Sequence, residues 1–424
     1  MKFTQSFSKT SKDLPTDEQS KNAQLLIRAG YIHKEMAGVY SLMPLGFKVL
    51  NNIKRVVNEE MLKLKSEELI MSSLQNKEIW EKTDRWSDEK VDIWFKTKLK
   101  NNAEIGLGWS HEEPIVNMMK NHINSYKNLP ATVHQFQNKL RNETRAKAGV
   151  MRCREFIMKD MYSFNVDEKT HMDFYSKTIE SYMNVYKRLG LGDITYITSA
   201  SGGVFTDKFS HEFQTLCDAG EDIIYVHKLE NYAINEEVFN DETLEKMNAK
   251  KDDFEKKVAA EVGNIFTFGT GKCEQMDLFF KNEKDEKIPV YLGSYGIGIT
   301  RLMGVMTEVM SDDNGLVWPH EVAPYSIHLV SLHKEDGDAV YNYAKDIYDK
   351  LIANNIEVLW DDRTGHGTGE KLGDADLLGI PMRVLVSSKT ILEDSVEVKE
   401  RIAKKEDGEI IKTNAFLKSY TEQC

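Results

Sequence analysis

The feature that most constrains the fold is a pair of segments, ATVHQFQNKL and EFIMKDMYSF, which flank a short loop rich in arginine. Both segments carry many β-branched and aromatic residues, a composition typical of strands. We therefore predict two paired strands that flank this loop, and we take them to be antiparallel. The loop and its margins carry Arg141, Arg145, Arg152 and Arg154. The predicted hairpin therefore gathers guanidinium groups at one end.

The alternation of side chains along these strands indicates what the guanidinium groups can do. On the outgoing strand Arg141 and Glu143 point to one face, and on the returning strand Arg154 and Phe156 share a face, with Arg152 at its entry. A guanidinium fork grips phosphate oxygens, and each such charge-assisted bond contributes roughly 1.5–3 kcal/mol. Two interpretations stay open at this point: a pocket for a planar polyanion such as a nucleoside triphosphate, and surface ion pairs on a hairpin.

The composition excludes several classes of protein. A formal net charge of -12 argues against a broad basic surface for non-specific nucleic-acid binding, although it allows locally gathered basic groups. No apolar run approaches the roughly 18 residues of a membrane span, and the N-terminal MKFTQSFSKTSKDLP is too polar for a secretory signal. The four cysteines form no CxxC, so neither a disulfide framework nor a cysteine-rich zinc site is indicated. We expect a cytoplasmic protein.

The order of patterns along the chain predicts an α/β protein of two domains. Apolar stripes of helical period predict helices near residues 47–62 and 172–189. Residues 237–258 are charged and poor in large apolar side chains, which indicates a connector or a solvated helix. After about Ala323, strand patterns alternate with helical ones, as expected of a small domain with a mixed sheet. We predict domains of residues 1–322 and 323–424.

Three further stretches carry candidate functional groups, and each has a plain structural alternative. YGIGITR brings glycines and Arg301 between a strand and a helix, where close backbone approach or tight packing explains the glycines equally well. GWSHEE offers Ser110 and Glu112 for an ammonium group, or Ser110 as a helix N-cap. FSHEFQTLCDAGED suits a strand with His211 or Glu212 toward a cleft, although a lone buried histidine is more often structural.

Taken together and in this order, these stretches resemble the class II aminoacyl-tRNA synthetases, and specifically the bacterial-type prolyl-tRNA synthetase family. GVYSLMPLGFKVLNNIKRVVNEEM resembles motif 1, which builds the family's dimer interface, and QFQNKLRNETRAKAGVMRCREFIMKDMYSF resembles motif 2. GSYGIGITR is similar to motif 3, and GEKLGDADLLGIP is similar to the signature of the anticodon-binding domain. The resemblance implies an α/β fold: an antiparallel-sheet catalytic core followed by a small mixed-sheet anticodon-binding domain.

The resemblance also implies roles for individual residues. The residues that match catalytic positions are Arg141 and Arg301. Those that match ATP-binding positions are Arg141, Glu143, Arg152, Phe156, Gln214, Thr215 and Arg301. Those that match proline-binding positions are Ser110, Glu112, Arg141, Met158, Tyr162, His211 and Phe213. Glu212 is the expected Mg²⁺ ligand, no structural zinc is expected, and Asp362, Arg363 and Lys371 are candidates for tRNA contacts or for ordinary surface roles.

The implied activity is that of a homodimeric proline–tRNA ligase. It would activate proline with ATP, with Mg²⁺ as cofactor, and transfer the prolyl group to tRNA. Family members often carry an editing domain where this chain has only the connector of residues 237–258. The resemblance therefore implies no hydrolysis of Ala-tRNA by this chain, and a separate editing protein as a partner. The alternatives are a non-catalytic paralogue with the same fold and a synthetase for another amino acid.

Overall fold

The computed structural model describes residues 1–144, 146, 148–200, 210–230, 232–404 and 407–421. Arg145 of the arginine loop lies outside these residues. Within the described residues the α-helices are α1 (Lys21–Arg28), α2 (Pro44–Lys63), α3 (Lys77–Glu81), α4 (Glu112–Met119), α5 (Glu168–Arg188), α6 (Asp241–Lys246), α7 (Gly271–Gln275), α8 (Ile299–Met310), α9 (Ala339–Ala353), α10 (Thr368–Leu378), α11 (Ser388–Leu392) and α12 (Thr413–Thr421). None of these helices is long and apolar enough to cross a membrane.

The strands alternate with these helices along most of the chain. In chain order they are β1 (Ile32–Met36), β2 (Val39–Leu42), β3 (Glu67–Glu68), β4 (Leu74–Asn76), β5 (Lys96–Lys98), β6 (Glu104–Leu107), β7 (Ala131–Leu140), β8 (Glu155–Asn165), β9 (Thr195–Ala200), β10 (Ser210–Leu216), β11 (Asp222–His227), β12 (Ala233–Asn235), β13 (Phe254–Gly269), β14 (Phe279–Lys281), β15 (Lys287–Pro289), β16 (Tyr291–Gly298), β17 (Ile327–Ser331), β18 (Val358–Asp361), β19 (Met382–Val386), β20 (Ser395–Glu400) and β21 (Glu409–Lys412). Both strands that were predicted around the arginine loop, and the helices predicted at 47–62 and 172–189, are present.

The chain divides into two compact units. The larger unit comprises Met36–Val39 and Ile53–Val305, and the other comprises Met1–Glu35, Tyr40–Asn52 and Met306–Cys424. This division does not coincide with the predicted boundary between residues 322 and 323. One reason lies at the start of the chain, where the backbone N–H of Trp360 in β18 donates to the carbonyl oxygen of Met1 at 2.9 Å.

The larger unit is built on a nine-stranded sheet. Its order is β12-β11-β13-β16-β8-β7-β3, and β10 pairs with both β13 and β9. Its pairings are antiparallel except for that of β3 with β7. In the central hairpin Ala131 pairs with Phe164 and Leu140 pairs with Glu155, so the arginine loop emerges at the end of β7 and β8. The antiparallel core predicted from the family resemblance is confirmed.

The two faces of this sheet differ in their covering. Tyr182 and Tyr186 of α5 are buried against Phe213 of β10, with ring centroids 5.0 and 5.5 Å apart. The helix begins where the carboxylate of Asp167 accepts a hydrogen bond from the backbone N–H of Thr170 at 2.8 Å, which satisfies one of the unpaired donors of the first turn. Alternate residues of the same strands point to the opposite face. That opposite face borders the cavity described below.

The second unit contains the predicted mixed sheet. Its order is β18-β17-β19-β20-β21, with β17 parallel to β18 and β19 and the remaining pairs antiparallel. The central strands are short apolar runs, as expected where helices cover a parallel sheet. Ile327, Leu329 and Val384 of the sheet and Ile347 of α9 are fully buried in one core.

The charged segment between the two halves of the large sheet is ordered as short helical pieces. It contains α6, whose first turn is capped by the side chain of Asn240, and a 3₁₀ turn at Lys251–Asp253. The side-chain oxygen of Asn240 accepts from the backbone N–H of Thr243 at 3.0 Å. The segment is thus a compact connection into β13, in agreement with its charged composition.

Candidate active site

A cavity of about 320 Å³ lies within the larger unit, bordered by β7, β8, β10, β13 and β16 and by the first turn of α8. Most of its wall is one face of the sheet, because residues at alternate positions of each strand contribute to it. The predicted site residues that line it are Ser110, Glu112, Arg141, Glu143, Arg152, Phe156, Met158, Glu212 and Arg301. Groups from chain segments about 190 residues apart in sequence therefore meet in one space.

Arg141 leaves the end of β7 with its guanidinium group held by a backbone oxygen. Its Nε donates to the carbonyl oxygen of Trp109 at 3.2 Å, and its backbone N–H donates to the carbonyl oxygen of Arg154 at 2.8 Å. The guanidinium carbon lies 5.2 Å from the ring centroid of Phe156, within the range of a cation–π contact. Burial, and then the positive charge of Arg301, lower the pKa of Arg141, which remains a cation at neutral pH.

Arg301, in the first turn of α8, is oriented in the same way. Its Nε donates to the carbonyl oxygen of Met151 at 2.9 Å, and one terminal nitrogen donates to the carbonyl oxygen of Glu261 at 2.7 Å. The carboxylate of Glu261 lies 3.7 Å from the same nitrogen. Phe156 and Arg301 both line the cavity, as an adenine held between them requires.

Arg152 is partnered differently from the other two arginines. Its Nε and one terminal nitrogen donate to the Glu143 carboxylate at 3.1 and 2.8 Å, and a second terminal nitrogen donates to Glu221. Burial opposes the charged form, but these two hydrogen-bonded carboxylates raise the pKa of Arg152. In this arrangement Glu143 and Arg152 form hydrogen bonds with each other. A nucleotide that contacts either side chain would have to break these hydrogen bonds or use donors and acceptors that they leave available.

The loop that precedes α4 forms the opposite end of the cavity. The hydroxyl of Ser110 donates to Glu112, and the hydroxyl of Ser294 in β16 donates to the other oxygen of Glu112 at 3.3 Å. The N-cap of α4 is His111 rather than Ser110, which corrects the structural alternative for Ser110. Ser110 instead orients the carboxylate of Glu112 toward the cavity that both residues line.

Two residues that the motif comparison passed over form the floor between these ends. Lys139 of β7 and Asp160 of β8 line the cavity, and the Lys139 Nζ lies 2.7 Å from Asp160 Oδ1. Burial favours the neutral acid, but the neighbouring Lys139 charge holds the pKa of Asp160 below its ordinary value. The strand period contains a signal for Asp160, since this residue shares its face of β8 with Phe156 and Met158.

Three of the residues expected around proline do not border the cavity. Tyr162 is on the same face of β8 as Asp160 but is fully buried, with its hydroxyl donating to Asp160 at 2.6 Å. His211 and Phe213 occupy the face of β10 that α5 covers: a ring nitrogen of His211 is 2.8 Å from the Tyr175 hydroxyl, and Phe213 is fully buried. For His211 and Phe213 the structure differs from the expectation, because alternation in β10 turns Glu212, and not its neighbours, toward the cavity.

Gln214 and Thr215, the remaining predicted ATP-binding residues, are also buried away from the cavity. The amide nitrogen of Gln214 donates to Glu212 at 2.9 Å and to Asp222 at 3.0 Å. The hydroxyl of Thr215 lies 2.8 Å from that of Thr195 on the neighbouring strand. A β-bulge between Phe213 and Gln214 shifts the register at this point, a feature that a single sequence does not show.

Carboxylates gather where Glu212 meets the cavity. Burial, and then the negative charge of Glu261, raise the pKa of Glu212 to about 8. A cation relieves such repulsion, and Mg²⁺ is commonly held by one or two carboxylates together with substrate phosphates. Among the described residues no group of three or more histidine, cysteine or acidic side chains is arranged to hold a metal by itself. The donor set of Glu212 and Glu261 therefore fits a nucleotide-borne Mg²⁺.

The three residues predicted to contact tRNA lie in the second unit, and all have intramolecular partners. Asp362 accepts from the backbone and the hydroxyl of Thr4 at 2.9 and 2.8 Å. Arg363 forms ion pairs with Asp361 at 2.7 Å and with Asp374 at 2.8 Å. Lys371 is almost fully buried, and its Nζ donates to the carbonyl oxygen of Ser331 at 2.8 Å. The structure therefore differs from the expectation that these side chains are presented to RNA.

Comparison with known proteins bears on the same regions. A family model for the class II tRNA synthetase core domain (G, H, P, S and T) matches residues 95–310, and a model for the anticodon-binding domain matches residues 323–419. The proline–tRNA ligase of Ehrlichia ruminantium (strain Gardel) is 33% identical over 438 aligned residues, which cover 99% of each chain. The chain belongs to the proline–tRNA ligase family. A second member of the family, from Zymomonas mobilis, is also 33% identical and is aligned over 98% of each chain.

Solved structures of prolyl-tRNA synthetases share the fold. The Giardia lamblia enzyme in complex with prolyl-adenylate superposes with a TM-score of 0.76 at 17% identity, covering 94% of this chain and 78% of that one. The Cryptosporidium parvum enzyme complexed with halofuginone and AMPPNP also superposes with a TM-score of 0.76, at 16% identity, covering 95% of this chain and 78% of that one. The prediction of a class II prolyl-tRNA synthetase made from the sequence is confirmed at the level of the family.

Proposed function

We propose that this chain activates L-proline with ATP to form prolyl-adenylate and then transfers the prolyl group to the 3′ end of a proline-specific tRNA. The single observation that carries the proposal is the convergence of Arg141, Phe156 and Arg301 with Ser110 and Glu112 around one cavity. Family membership at 33% identity over nearly the whole chain supports the same reaction.

The first step needs alignment more than proton transfer. A carboxylate oxygen of proline attacks the α-phosphorus of ATP in line and pyrophosphate leaves, so no general base is required. Arg141 and Arg301 supply positive charge where negative charge accumulates, and both are already oriented by backbone carbonyl oxygens. Such preorganised groups need no reorientation during the reaction. The aromatic ring of Phe156 offers a stacking surface for adenine.

The substrate amine belongs at the other end of the cavity. The carboxylate of Glu112, with Ser110 hydrogen-bonded to it, provides an acceptor for the secondary ammonium of proline. Met158 supplies an apolar surface near this end. In the second step the terminal ribose hydroxyl of the tRNA attacks the acyl carbon of the adenylate, and AMP leaves.

Mg²⁺ is proposed to enter with the nucleotide, beside Glu212 and Glu261. When bound, it supplies positive charge that neutralises the triphosphate. These carboxylates lose their mutual repulsion when a cation lies between them, which is consistent with the raised pKa of Glu212.

Several finer assignments belong to the same proposal. Residues 1–322 act as the catalytic domain, residues 323–424 recognise the anticodon, and two copies of the chain pair through the motif 1 region. Because the connector at 237–258 is only a short helix and a turn, editing of Ala-tRNA falls to a separate protein. The enzyme works in the cytoplasm, where the tRNA is used.

The test is amino-acid-dependent exchange of pyrophosphate into ATP with the purified full chain and a panel of amino acids. We expect exchange with proline, and weaker exchange with alanine or cysteine. Exchange that needs a different amino acid, or none, would contradict the proposal. Ala-tRNA incubated with the same protein should remain acylated, and its rapid deacylation would contradict the assignment of editing to another protein.

A further inference from the structure

A continuous polar network runs beneath the amine end of the cavity. The Nζ of Lys139 lies 2.7 Å from Nδ1 of His111 and 2.7 Å from Oδ1 of Asp160. His111 stands between Ser110 and Glu112 in the chain, whereas Lys139 and Asp160 belong to the central strands β7 and β8. The ammonium group of Lys139 therefore connects the loop that presents the carboxylate to the sheet that forms the floor.

The hydrogen-bond roles within this network are determined by chemistry. Nε2 of His111 is 3.2 Å from the backbone carbonyl oxygen of Ser72, which can only accept, so Nε2 carries the proton. Nδ1 is then left as an acceptor for the ammonium group of Lys139. Burial, and then the charge of Lys139, lower the pKa of His111 to about 3, in agreement with this neutral tautomer.

Asp160 is fixed as firmly as His111. Its second oxygen accepts from the hydroxyl of Tyr162 at 2.6 Å and from the amide nitrogen of Gln135 at 2.8 Å. Lys139 is thus held between the hydrogen bond to His111 and the ion pair with Asp160, and its side chain is only 1% exposed. A lysine held in this way has little rotational freedom. Its contacts fix the position of the loop that carries His111 relative to the sheet.

We propose that Lys139 is a positioning residue for the amino-acid substrate, which acts through His111 to hold Ser110 and Glu112 where the substrate ammonium binds. The inference rests on the proposed function and deepens it, since it names a residue that controls recognition of a secondary amine at this site. Displacement of a binding group by about 1 Å can reduce rates about 100-fold. Loss of the Lys139 contact should therefore weaken proline binding without affecting the arginines at the nucleotide end.

The matched experiment compares Lys139→Met with Lys159→Met in proline-dependent pyrophosphate exchange. Lys159 is also fully buried in β8, where it donates to the carbonyl oxygen of Tyr295 at 3.0 Å, and it does not line the cavity. We expect Lys139→Met to raise the KM for proline at least about tenfold, with the KM for ATP changed less than about threefold. Lys159→Met should cost stability but leave the KM for proline within about twofold.

A double-mutant cycle shows whether Lys139 acts through His111. His111→Gln retains a nitrogen near the Ser72 carbonyl but removes the acceptor for Lys139, whereas His111→Asn restores an acceptor near the Nδ1 position. We expect the effects of Lys139→Met and His111→Gln on the KM for proline to be strongly non-additive, and His111→Asn to be milder than His111→Gln. If Lys139→Met fails to fold, His111→Gln alone carries the same expected rise in KM for proline.

The possible results separate a positioning role of Lys139 from a purely structural role and from direct contact with the substrate. A KM for proline within about twofold of the parent in folded Lys139→Met, an equal rise in Lys159→Met, or additive effects in the cycle would overturn the inference. Additive effects with a large rise would mean that Lys139 contacts the substrate directly. Absence of proline-dependent exchange in the unaltered chain would overturn the proposed function and this inference with it, whereas normal exchange there confines any failure to Lys139.

Discussion

Two arginines of the active-site cavity, Arg141 and Arg301, and one arginine of the second unit, Arg363, are held by different kinds of partners. Arg141 donates to a backbone carbonyl oxygen, and Arg301 donates to two. Arg363 in the second unit is instead clamped by the carboxylates of Asp361 and Asp374. A carbonyl oxygen orients a guanidinium group without cancelling its charge, whereas a carboxylate neutralises it. The same residue type therefore serves ligand binding in one region and structure in the other.

The first prediction concerns Arg141 of the cavity, where substitution should change activity most. Arg141→Ala should reduce the rate of proline-dependent exchange by about 10²–10³-fold, because one preorganised cation at the α-phosphate is lost. Arg141→Lys should recover only part of this loss, since an ammonium cannot replace the planar fork.

The control is Lys281→Ala, which removes an exposed ion pair with Asp285, 2.8 Å away, outside the cavity. It should leave exchange unchanged. Equal activity of Arg141→Ala and the parent would show that the cavity arginine does not serve the reaction.

The second prediction concerns the structural cation of the second unit. Arg363→Ala removes a guanidinium group that forms ion pairs with both Asp361 and Asp374 and whose side chain is only 13% exposed, and breaking a pair of this kind costs about 3 kcal/mol. Chemical denaturation should show this loss of unfolding free energy, while proline-dependent exchange is retained.

Lys345→Ala provides the matched control, because its ion pair with Asp349 on α9 is exposed. This variant should unfold at the same denaturant concentration as the parent. A stable Arg363→Ala protein that is specifically impaired in aminoacylation, but not in exchange, would instead restore the prediction that Arg363 contacts tRNA.

Some of the residues that line the cavity could be predicted from the sequence, and others could not. The predicted hairpin fixed the relative positions of Arg141 and Phe156, because pairing and strand period determine which side chains share a face. Asp160 follows from the same period and could have been included. The buried position of Lys139 has no such signal, since a lysine in a strand is usually solvated.

The positions of the predicted site residues in β10 differ from the expectation for another reason. Polar side chains occur at both sets of alternate positions in β10, so the pattern alone does not show which face borders the cavity. The structure turns Glu212 to the cavity and buries Phe213 against α5. In the second unit, Arg363 and Lys371 are candidates because they lie at the ends of predicted strands and helices, but the pattern does not show that nearby acceptors satisfy them. Such pairing depends on tertiary contacts that are distant in sequence.

The third prediction concerns the acidic side of the cavity, where Glu212 lies near a second carboxylate, that of Glu261. Burial and then Glu261 raise the pKa of Glu212 from 4.5 to about 8, so the folded protein binds this proton more tightly than the unfolded chain does. The stabilising contribution of Glu212 to the free energy of unfolding is therefore complete below about pH 4.5. It is lost progressively as the pH rises to about 8.

Glu212→Gln should remove this pH dependence. In the absence of nucleotide and metal, we expect the free energy of unfolding of the variant, relative to that of the parent, to rise by at least about 2 kcal/mol from pH 5 to pH 8. Denaturation of both proteins at the two pH values measures the difference. A difference between variant and parent that is the same at both pH values would contradict the raised pKa.

The fourth prediction has the smallest expected effect and concerns Ser110. Ser110→Ala removes the hydroxyl that donates to Glu112 and should raise the KM for proline about fivefold, the effect of one lost hydrogen bond. Ser110→Thr retains the hydroxyl and should stay within about twofold of the parent in the same kinetic assay. An Ala variant that matches the Thr variant would show that this hydroxyl does not orient Glu112 for the substrate.

The most direct test of the central claim is a crystal structure of the full chain with proline and a non-hydrolysable ATP analogue. We expect a bent nucleotide in the cavity, with its adenine between Phe156 and Arg301. The α-phosphate should lie beside Arg141, and the proline ammonium should lie at Glu112. Nucleotide bound outside this cavity, or adenine remote from both Phe156 and Arg301, would contradict this claim.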